Sequence, residues 1–269
     1  MEKRGIGVFD SGLGGLTVVK EIMKLLPNEK IIYFGDTARV PYGSKSELVI
    51  KKYSLEITKF LKTKDIKILV VACNTATAMA IKKIREVVDI PVVGVIEPGS
   101  RRAVKTSENG NIGIIGTSGT INSNSYKKAI KKINQNINVL QKACPLFVPL
   151  IEEGMLNDFI TEEIIKRYLM EFKEKIDTLV LGCTHYPLIK KAIKKVLGNE
   201  IILIDSAEET AIEVREILYS KRLLRNDKSE KSEFYVSDAP QKFTEIGEIF
   251  LGKELGEVKL IDIEKYGEN

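Results

Sequence analysis

The chain contains no tryptophan, one histidine and three cysteines among its 269 residues. It has no Cys-X-X-Cys pair and no second histidine, so the common zinc-site patterns are missing, although Cys73, Cys183 and His185 stay open as three ligands of a metal. An odd number of widely spaced cysteines is also untypical of a disulfide framework. We therefore predict reduced thiols and no metal site.

Long apolar runs are missing too, because none approaches the roughly 18 residues that a membrane helix needs. The N-terminal MEKRGIGVFD enters a strand-like run directly, without the apolar segment of a secretory signal. The sequence therefore predicts a cytoplasmic protein that does not enter the membrane.

Positive charge is in small excess over negative charge, and the formal net charge is +5. The lysines of KKAIKK at 127–132 recur at helical spacing, which indicates a solvated helix face. No nucleic-acid module accompanies them, and SGLGGLT fits neither a dinucleotide loop nor a P-loop. Its glycines instead favour a tight turn that brings backbone close to a small anionic substrate. We expect no nucleic acid and no cofactor.

What the sequence does contain is an alternation of short Ile- and Val-rich runs with longer segments of helical period, which is typical of an α/β fold with a parallel sheet. The pattern occurs twice. IGVFDSGLGG at Ile6 is similar to IGIIGTSGT at Ile112, 106 residues later, and LVVACNTATAMAIKKI at Leu69 is similar to LVLGCTHYPLIKKAI, 110 residues later. We predict two similar domains, each a mostly parallel sheet flanked by helices.

The predicted crossings between the domains are PVVGVIEPG near 91–99 and IILIDSAEET near 201–210. Because domain termini often lie together, the C-terminal segment is expected to complete the first domain. The predicted domains are residues 1–97 with 209–269, and residues 98–208. The polar stretch RNDKSEKSE at 225–233 is predicted to be a surface loop.

Cysteines and small polar residues follow the predicted strands. They are Asp10 and Ser11 after the first strand, Cys73 and Asn74 after the third, Thr117 and Ser118 after the strand that restarts the pattern, and Cys183 to His185 after its partner. Ligands of parallel sheets bind beyond the carboxyl ends of the strands. Two domains that face each other would therefore bring Cys73 and Cys183 into one cleft, the predicted active site.

Two thiols facing one substrate suit inversion at a carbon that carries a hydrogen, since one removes a proton from one face and the other supplies a proton to the opposite face. Helix N-termini and nearby donors favour the thiolate form, and a reference pKa of about 8.5 means that a small shift ionises one of the two thiols at neutral pH, so we expect one thiolate and one thiol. Racemisation of an amino acid without a cofactor fits this pattern. Cys144, in ACPLFVP, is interpreted as a buried small hydrophobe.

Two further classes stay open. A cysteine hydrolase would use His185 as its base, but residues two apart at a strand-to-helix turn tend to diverge, and a single nucleophile leaves Cys73 unexplained. A two-lobed ligand-binding protein without chemistry would also have a cleft. The paired thiols and the missing secretion signal argue against it.

Five blocks, in order, carry a resemblance: DSGLGGLTV, GDTARVPYGSKS, ACNTATA, PLIEEG and GCTHYPLI. From Ile6 to about Glu209 the chain resembles the glutamate racemases, of the aspartate/glutamate racemase superfamily. The resemblance implies interconversion of L- and D-glutamate without a cofactor, and supply of D-glutamate for peptidoglycan synthesis. A related racemase or isomerase acting on aspartate, a hydantoin or maleate is the alternative. A homodimer is compatible with the sequence, which does not define the oligomeric state.

The same resemblance implies roles for individual residues. Cys73 and Cys183 become the acid/base pair, with Cys73 deprotonating D-glutamate and Cys183 deprotonating L-glutamate. Asp10 assists the first thiol and His185 the second, with Glu152 or its neighbour Glu153 as a third group. The implied substrate-binding residues are Asp10, Ser11, Tyr42, Gly43, Asn74, Thr75, Thr117, Thr120, Thr184 and His185.

Structural roles are the alternative for some of these residues. Asp10 and Thr117 fit helix N-caps, and Tyr42 with Gly43 fits an ordinary turn after Pro41.

Overall fold

The computed structural model describes residues 3–227 and 231–267, so residues 228–230 of the predicted loop at 225–233 lie outside the described residues. The strands are β1 (Gly5–Asp10), β2 (Ile31–Gly35), β3 (Ile66–Val71), β4 (Val92–Gly94), β5 (Asn111–Gly116), β6 (Asn138–Ala143), β7 (Thr178–Gly182), β8 (Ile202–Asp205), β9 (Glu233–Val236) and β10 (Val258–Leu260). The helices are α1 (Leu16–Leu25), α2 (Glu47–Lys62), α3 (Asn74–Val87), α4 (Ile96–Thr106), α5 (Ser118–Asn122), α6 (Ser125–Ile133), α7 (Phe147–Glu152), α8 (Phe159–Leu169), α9 (Lys190–Leu197), α10 (Ser206–Ser220) and α11 (Pro240–Leu251). Short 3-10 turns occupy Thr37–Arg39, Tyr42–Ser44, Met170–Phe172, Tyr186–Ile189 and Ile263–Tyr266.

The first sheet has the strand order β10-β9-β2-β1-β3-β4, and its described pairs are parallel. Every residue of β1 is buried, as expected for a parallel strand covered on both faces. Val8 belongs to an apolar cluster that includes residues of α1, α10 and α11, whereas Phe9 packs with residues of α2 and α3. The core of this domain therefore lies on both faces of its sheet.

The second sheet, in the order β6-β5-β7-β8, repeats the first strand for strand, because β2-β1-β3-β4 has the same connectivity. Its described pairs are also parallel. The repeats at Ile6 and Ile112 begin within β1 and β5, and those at Leu69 and Leu179 begin within β3 and β7. The predicted α/β fold with two similar domains is thus confirmed, and β9 with β10 extends only the first sheet.

Two helices carry the chain between the sheets. Helix α4 leads from β4 to β5, and α10 leads from β8 towards β9. The two helices pack against each other, and Nε of Arg102 lies 3.4 Å from Oε1 of Glu209. The boundaries expected at 97/98 and 208/209 fall within these helices, and the division into two domains at those positions stays a prediction.

A buried ion pair connects the C-terminal segment to the first sheet. Lys67 in β3 is fully buried, and its Nζ lies 2.6 Å from Oε2 of Glu29. The same ammonium donates to the carbonyl of Leu223 at 2.6 Å, and Oε1 of Glu29 accepts from the backbone N–H of Arg225 at 2.9 Å. Since a buried charge requires a partner, this pair holds the chain that leaves α10 against the start of β3.

Candidate active site

A cavity of about 420 Å³ lies between the two sheets, and residues that follow strands of both sheets line it. Because β1 pairs with β3 and β5 with β7, the segments that leave these neighbouring strands emerge side by side. Cys73 reaches the cavity from the first sheet and Cys183 from the second. The cavity thus lies in the interdomain cleft, where the active site was predicted.

Most of the predicted site residues line this interdomain cavity. Those that do are Ser11, Tyr42, Gly43, Cys73, Asn74, Thr75, Thr117, Glu152, Glu153, Cys183, Thr184 and His185. Asp10 and Thr120 are not on the lining surface but are buried behind it, in contact with residues that are.

Cys73 caps the N-terminus of α3, where its Sγ accepts from the backbone N–H of Ala76 at 3.5 Å. Its Sγ also lies 3.7 Å from Oγ of Ser11. Burial and the Asp10 carboxylate nevertheless raise the pKa of the Cys73 thiol to about 12. Desolvation thus outweighs the helix N-terminus and favours the protonated form of Cys73, which fits the thiol member of the expected pair of one thiolate and one thiol.

Cys183 and His185 lie side by side, with 3.8 Å between Sγ and Nδ1. The expected divergence of these neighbours is wrong, because β7 ends at Gly182 and the chain turns at once, with the N–H of Tyr186 donating to the carbonyl of Cys183. Burial lowers the pKa of the imidazole, but its hydrogen bonds with Cys183 and Glu152 outweigh burial and raise the pKa to about 10. These two partners therefore favour the protonated form of the ring.

Glu152, the last residue of α7, is placed to hold that charge, since its Oε1 lies 3.0 Å from Nε2 of His185. Glu153 also lines the cavity but caps the end of α7. The geometry favours Glu152 as the carboxylate that assists His185.

Asp10 joins the two domains beneath the cavity. Its Oδ2 accepts from the backbone N–H of Gly12 at 3.1 Å, and its Oδ1 accepts from Oγ1 of Thr184 in the second domain at 3.5 Å. Burial raises the pKa of this carboxyl, although His185 and nearby backbone N–H groups oppose the shift. It does not cap α1, whose N-cap is Gly15, so the alternative role as an N-cap is wrong.

Two glycines of the loop before α1 lie at the site, and Gly12 is on the lining surface of the cavity. A Cβ on Gly14 would lie 2.2 Å from Oγ1 of Thr184 and 2.5 Å from Nδ1 of His185. Gly14 therefore leaves space for the second domain, and the close approach of this loop to a small anionic substrate stays a prediction.

A network of charged residues anchors Tyr42, which is buried in the wall of the cavity. The hydroxyl of Tyr42 donates to Asp36, and Nε of Arg39 donates to both oxygens of that carboxylate at 2.8 and 3.0 Å. Oγ of Ser237, from the C-terminal segment, donates to Asp36 at 2.8 Å. The Tyr42–Ser44 turn is thus a fixed part of the cavity wall rather than an ordinary surface turn.

Three threonine hydroxyls form a cluster across the domains. Oγ1 of Thr75 lies 2.9 Å from that of Thr117 and 3.3 Å from that of Thr120. Thr117 also caps α5 by accepting from the N–H of Thr120 at 3.2 Å, so it has its expected capping role and lines the cavity as well. A Cβ on Gly43 would lie 2.7 Å from Cβ of Thr117, which explains the glycine at this approach.

Sequence reasoning missed one wall of the cavity. It is mostly apolar and consists of Val40, Pro41, Cys144, Pro145, Val148 and Pro149. Cys144 is fully buried, as predicted, yet it belongs to this wall because it directly follows β6, much as Cys73 follows β3. Its strand-end position was the signal that could have identified it.

Within residues 3–227 and 231–267, no group of three or more His, Cys, Asp or Glu side chains is arranged to hold a metal ion. No helix in this part of the chain is long and apolar enough to cross a membrane.

Comparison with known proteins agrees with this geometry. Residues 6–214 match the family model described as Asp/Glu/Hydantoin racemase. The chain is 53% identical to a glutamate racemase of Geobacter metallireducens over 98% of both chains. It superposes with a TM-score of 0.94 on the crystal structure of a Francisella tularensis glutamate racemase in complex with D-glutamate, with 43% identity, covering 99% of this chain and 100% of that one. A Bacillus anthracis glutamate racemase, RacE1, gives the same TM-score and identity over 97% and 98% of the two chains. The chain therefore belongs to the Asp/Glu/hydantoin racemase family.

Proposed function

We propose that this protein interconverts L-glutamate and D-glutamate without a cofactor, with Cys73 and Cys183 as the acid/base pair. The observation that carries this proposal is that the two thiols reach one cavity from the strand ends of two different sheets. The high identity to proteins named glutamate racemase supports glutamate as the substrate.

For L-glutamate, the Cys183 thiolate removes the α-proton, and the Cys73 thiol gives a proton to the opposite face of the resulting carbanion. Cys73 suits the role of acid because burial raises its pKa and so favours the protonated thiol. The C–H bond on one face breaks first and leaves its electron pair on the α-carbon, and this pair then takes the proton from Cys73 to form the C–H bond on the opposite face, so the configuration inverts. For D-glutamate the thiols exchange these roles.

His185 supports this cycle as a cation beside the Cys183 sulfur, since an opposite charge within a few ångströms favours the charged form of a group. Glu152 keeps the ring protonated from its other edge. Asp10 contributes on the Cys73 side, where its charge opposes ionisation of that thiol.

Hydroxyl and amide groups of the cavity are the proposed partners of the carboxylates and ammonium of glutamate, because these groups donate and accept hydrogen bonds at short range. The proposed substrate-binding residues are Ser11, Tyr42, Gly43, Asn74, Thr75, Thr117, Thr184 and His185 on the lining surface, with Asp10 and Thr120 behind it.

One observation favours a second candidate. A thiol, an imidazole and a carboxylate contact each other in that order, from Cys183 through His185 to Glu152. A cysteine hydrolase has the same arrangement. That reading gives Cys73 no role, although it lines the same cavity. Loss of all turnover in a Cys73→Ala variant would be the result that the hydrolase does not predict.

The direct test is incubation of the purified protein with L-glutamate in chelator-treated buffer without added cofactor, followed by chiral separation. We expect both enantiomers at equal amounts at equilibrium, from either starting enantiomer. Parallel samples with L-aspartate and a 5-substituted hydantoin identify the competing substrates of the family. Inactivity on glutamate with turnover of either competitor contradicts the proposed substrate, and a requirement for added pyridoxal phosphate or metal contradicts the proposed chemistry.

The proposed cellular role is synthesis of D-glutamate for peptidoglycan in the cytoplasm. Depletion of the protein is then expected to make growth dependent on supplied D-glutamate.

A further inference from the structure

Asn74 carries an unpaired donor in the wall of the interdomain cavity. The residue is 3% exposed, and its Nδ2 has no hydrogen-bond partner among the described residues. Its Oδ1, in contrast, accepts from the hydroxyl of Tyr126 at 2.7 Å. A buried amide nitrogen without a partner costs free energy, so this atom points to an acceptor that is supplied by a ligand.

Tyr126 belongs to α6 and therefore reaches Asn74 from the second domain. It is 1% exposed. Its ring packs against Gly182, because a Cβ added to that glycine would lie 3.1 Å from Cε2 of Tyr126. Its hydroxyl also hydrogen bonds with Ser206, at the start of α10. Tyr126 is thus fixed by packing and by a second hydrogen bond.

The direction of the hydrogen bond to Asn74 decides which end of its amide stays free. A tyrosine hydroxyl has a single proton, and burial raises the pKa of Tyr126, so the proton stays on the oxygen. If Ser206 donates to the phenol oxygen, that single proton is directed to Oδ1 of Asn74. The amide N–H groups are then the end that stays free, and they suit a carboxylate, whereas a free Oδ1 would repel one.

We propose that Tyr126 is a positioning residue, which orients the Asn74 amide so that Nδ2 donates to a carboxylate of the substrate. This inference rests on the proposed function, because it names the atom that binds the carboxylate and the residue that orients it. Tyr126 in α6 contacts Asn74 at the start of α3, so the residue that orients the amide comes from the segment that follows the second sheet's first strand.

Tyr126→Phe keeps the packed ring and removes only the hydroxyl. Without it, the amide presents either end to the cavity, and we expect KM for both enantiomers to rise about tenfold, the loss typical of one hydrogen bond to a charged group. The value of kcat is expected to change by less than about twofold, because the two thiols are untouched and the lost interaction is present in ground and transition states alike.

The matched control is Tyr235→Phe. The hydroxyl that it removes donates to Glu233 within β9, and Tyr235 does not line the cavity. Its KM is expected to equal that of the wild type. A double-mutant cycle then separates positioning from packing: in an Asn74→Ala background, Tyr126→Phe is expected to raise KM no further, because the amide through which it acts is gone. Equal effects of Tyr126→Phe in both backgrounds would overturn the proposal.

The wild-type protein supplies a readout that does not depend on how the variant folds. The side-chain amide resonances of Asn74 in the 15N-labelled protein, identified by their loss in Asn74→Ala, are expected to shift when D-glutamate is added. Absence of a shift at saturating D-glutamate overturns the proposal, as does a wild-type KM in folded Tyr126→Phe. Failure of the wild type to racemise glutamate is a separate result that refutes the proposed function.

Discussion

Nε2 of His185 lies 3.0 Å from Oε1 of Glu152, on the edge of the ring that faces away from Cys183. The imidazole thus stands between a carboxylate and a thiol, and both raise its pKa, to about 10. A group whose pKa is raised keeps its proton below that value and loses it above. The positive charge beside Cys183 is therefore present across the neutral range and is lost only in strongly alkaline solution.

Replacing Glu152 by Gln is expected to lower the pKa of His185, because one of the two groups that hold the proton loses its charge. The alkaline limb of the pH profile of kcat/KM should then begin at a lower pH than in the wild type. At pH 8 we expect kcat to fall about 10- to 100-fold, the range for a lost charge-assisted hydrogen bond. The measurement is racemisation rate against pH from 6 to 10.

Glu153→Gln is the comparison, because it removes the same charge from the neighbouring position. We expect a smaller loss and an alkaline limb at the wild-type position. A larger shift in Glu153→Gln than in Glu152→Gln would show that the wrong carboxylate has been assigned to His185.

Cys183→Ala is expected to abolish racemisation in both directions, since each direction needs one thiol as base and the other as acid. With Cys73 intact, D-glutamate should still exchange its α-hydrogen in deuterated solvent, provided that the thiol exchanges before it returns its proton, while L-glutamate stays unlabelled. This exchange should accelerate as pH rises, because the pKa of Cys73 is about 12. Cys73→Ala should give the mirror pattern, measured by 1H NMR.

The assignment of faces fails if L-glutamate exchanges in Cys183→Ala. Full racemisation in either variant would refute the two-base mechanism, and turnover of an ester or amide substrate by Cys73→Ala would instead support the hydrolase.

The three thiols are expected to differ in their reaction with iodoacetamide. Cys183, at 7% exposure and beside an imidazolium, should be labelled first, and Cys73, at 5%, should follow more slowly with a rate that rises with pH. Cys144 is 0% exposed and should be labelled last, because burial raises its pKa as well. Bound glutamate should protect the first two. Peptide mapping by mass spectrometry gives the order, and early labelling of Cys144 would contradict it.

Lys67→Met is expected to destabilise the protein by about 3–5 kcal/mol, because it leaves the charge of Glu29 buried without its partner. The free energy of unfolding in urea is the measurement. Lys51→Met removes the same charge from an exposed pair with Glu47 and should leave the unfolding midpoint unchanged. Equal changes in the free energy of unfolding in the two variants would show that burial does not decide how much these ion pairs contribute to stability.

The sequence predicts the fold of this protein well because the evidence for it is local and repeated. Runs such as IGVF at 6–9 and ILVV at 68–71 are apolar at every position, which is the pattern of a strand covered on both faces. The recurrence of these runs at Ile112 and Leu179 shows that two sheets share one connectivity. Family membership follows from motifs that are contiguous in the chain.

What the sequence could not predict depends on contacts between distant segments. The high pKa of Cys73 arises from its burial and from the charge of Asp10, and neither is visible in ACNTATA. The proximity of Cys183 to His185 depends on how sharply the chain turns after Gly182. Tyr126 carries no motif at all, and its contact with Asn74 exists only because α6 lies against the other domain.

The position of β9 has a consequence for the order in which the protein is made. β9 lies beside β2 in the first sheet, and the hydrogen bond of Ser237 to Asp36 joins residues 201 positions apart. On the ribosome, the strands of the second sheet, from 111 to 205, emerge before β9 does. Once these strands have emerged, the nascent chain can complete the second sheet. At that stage the edge of β2 that pairs with β9 is still open, and Asp36 still lacks its hydrogen bond from Ser237. The wall that carries Tyr42 is therefore among the last parts of the molecule to be finished, so a ribosome-bound intermediate holds both thiols before it holds a complete cavity for them.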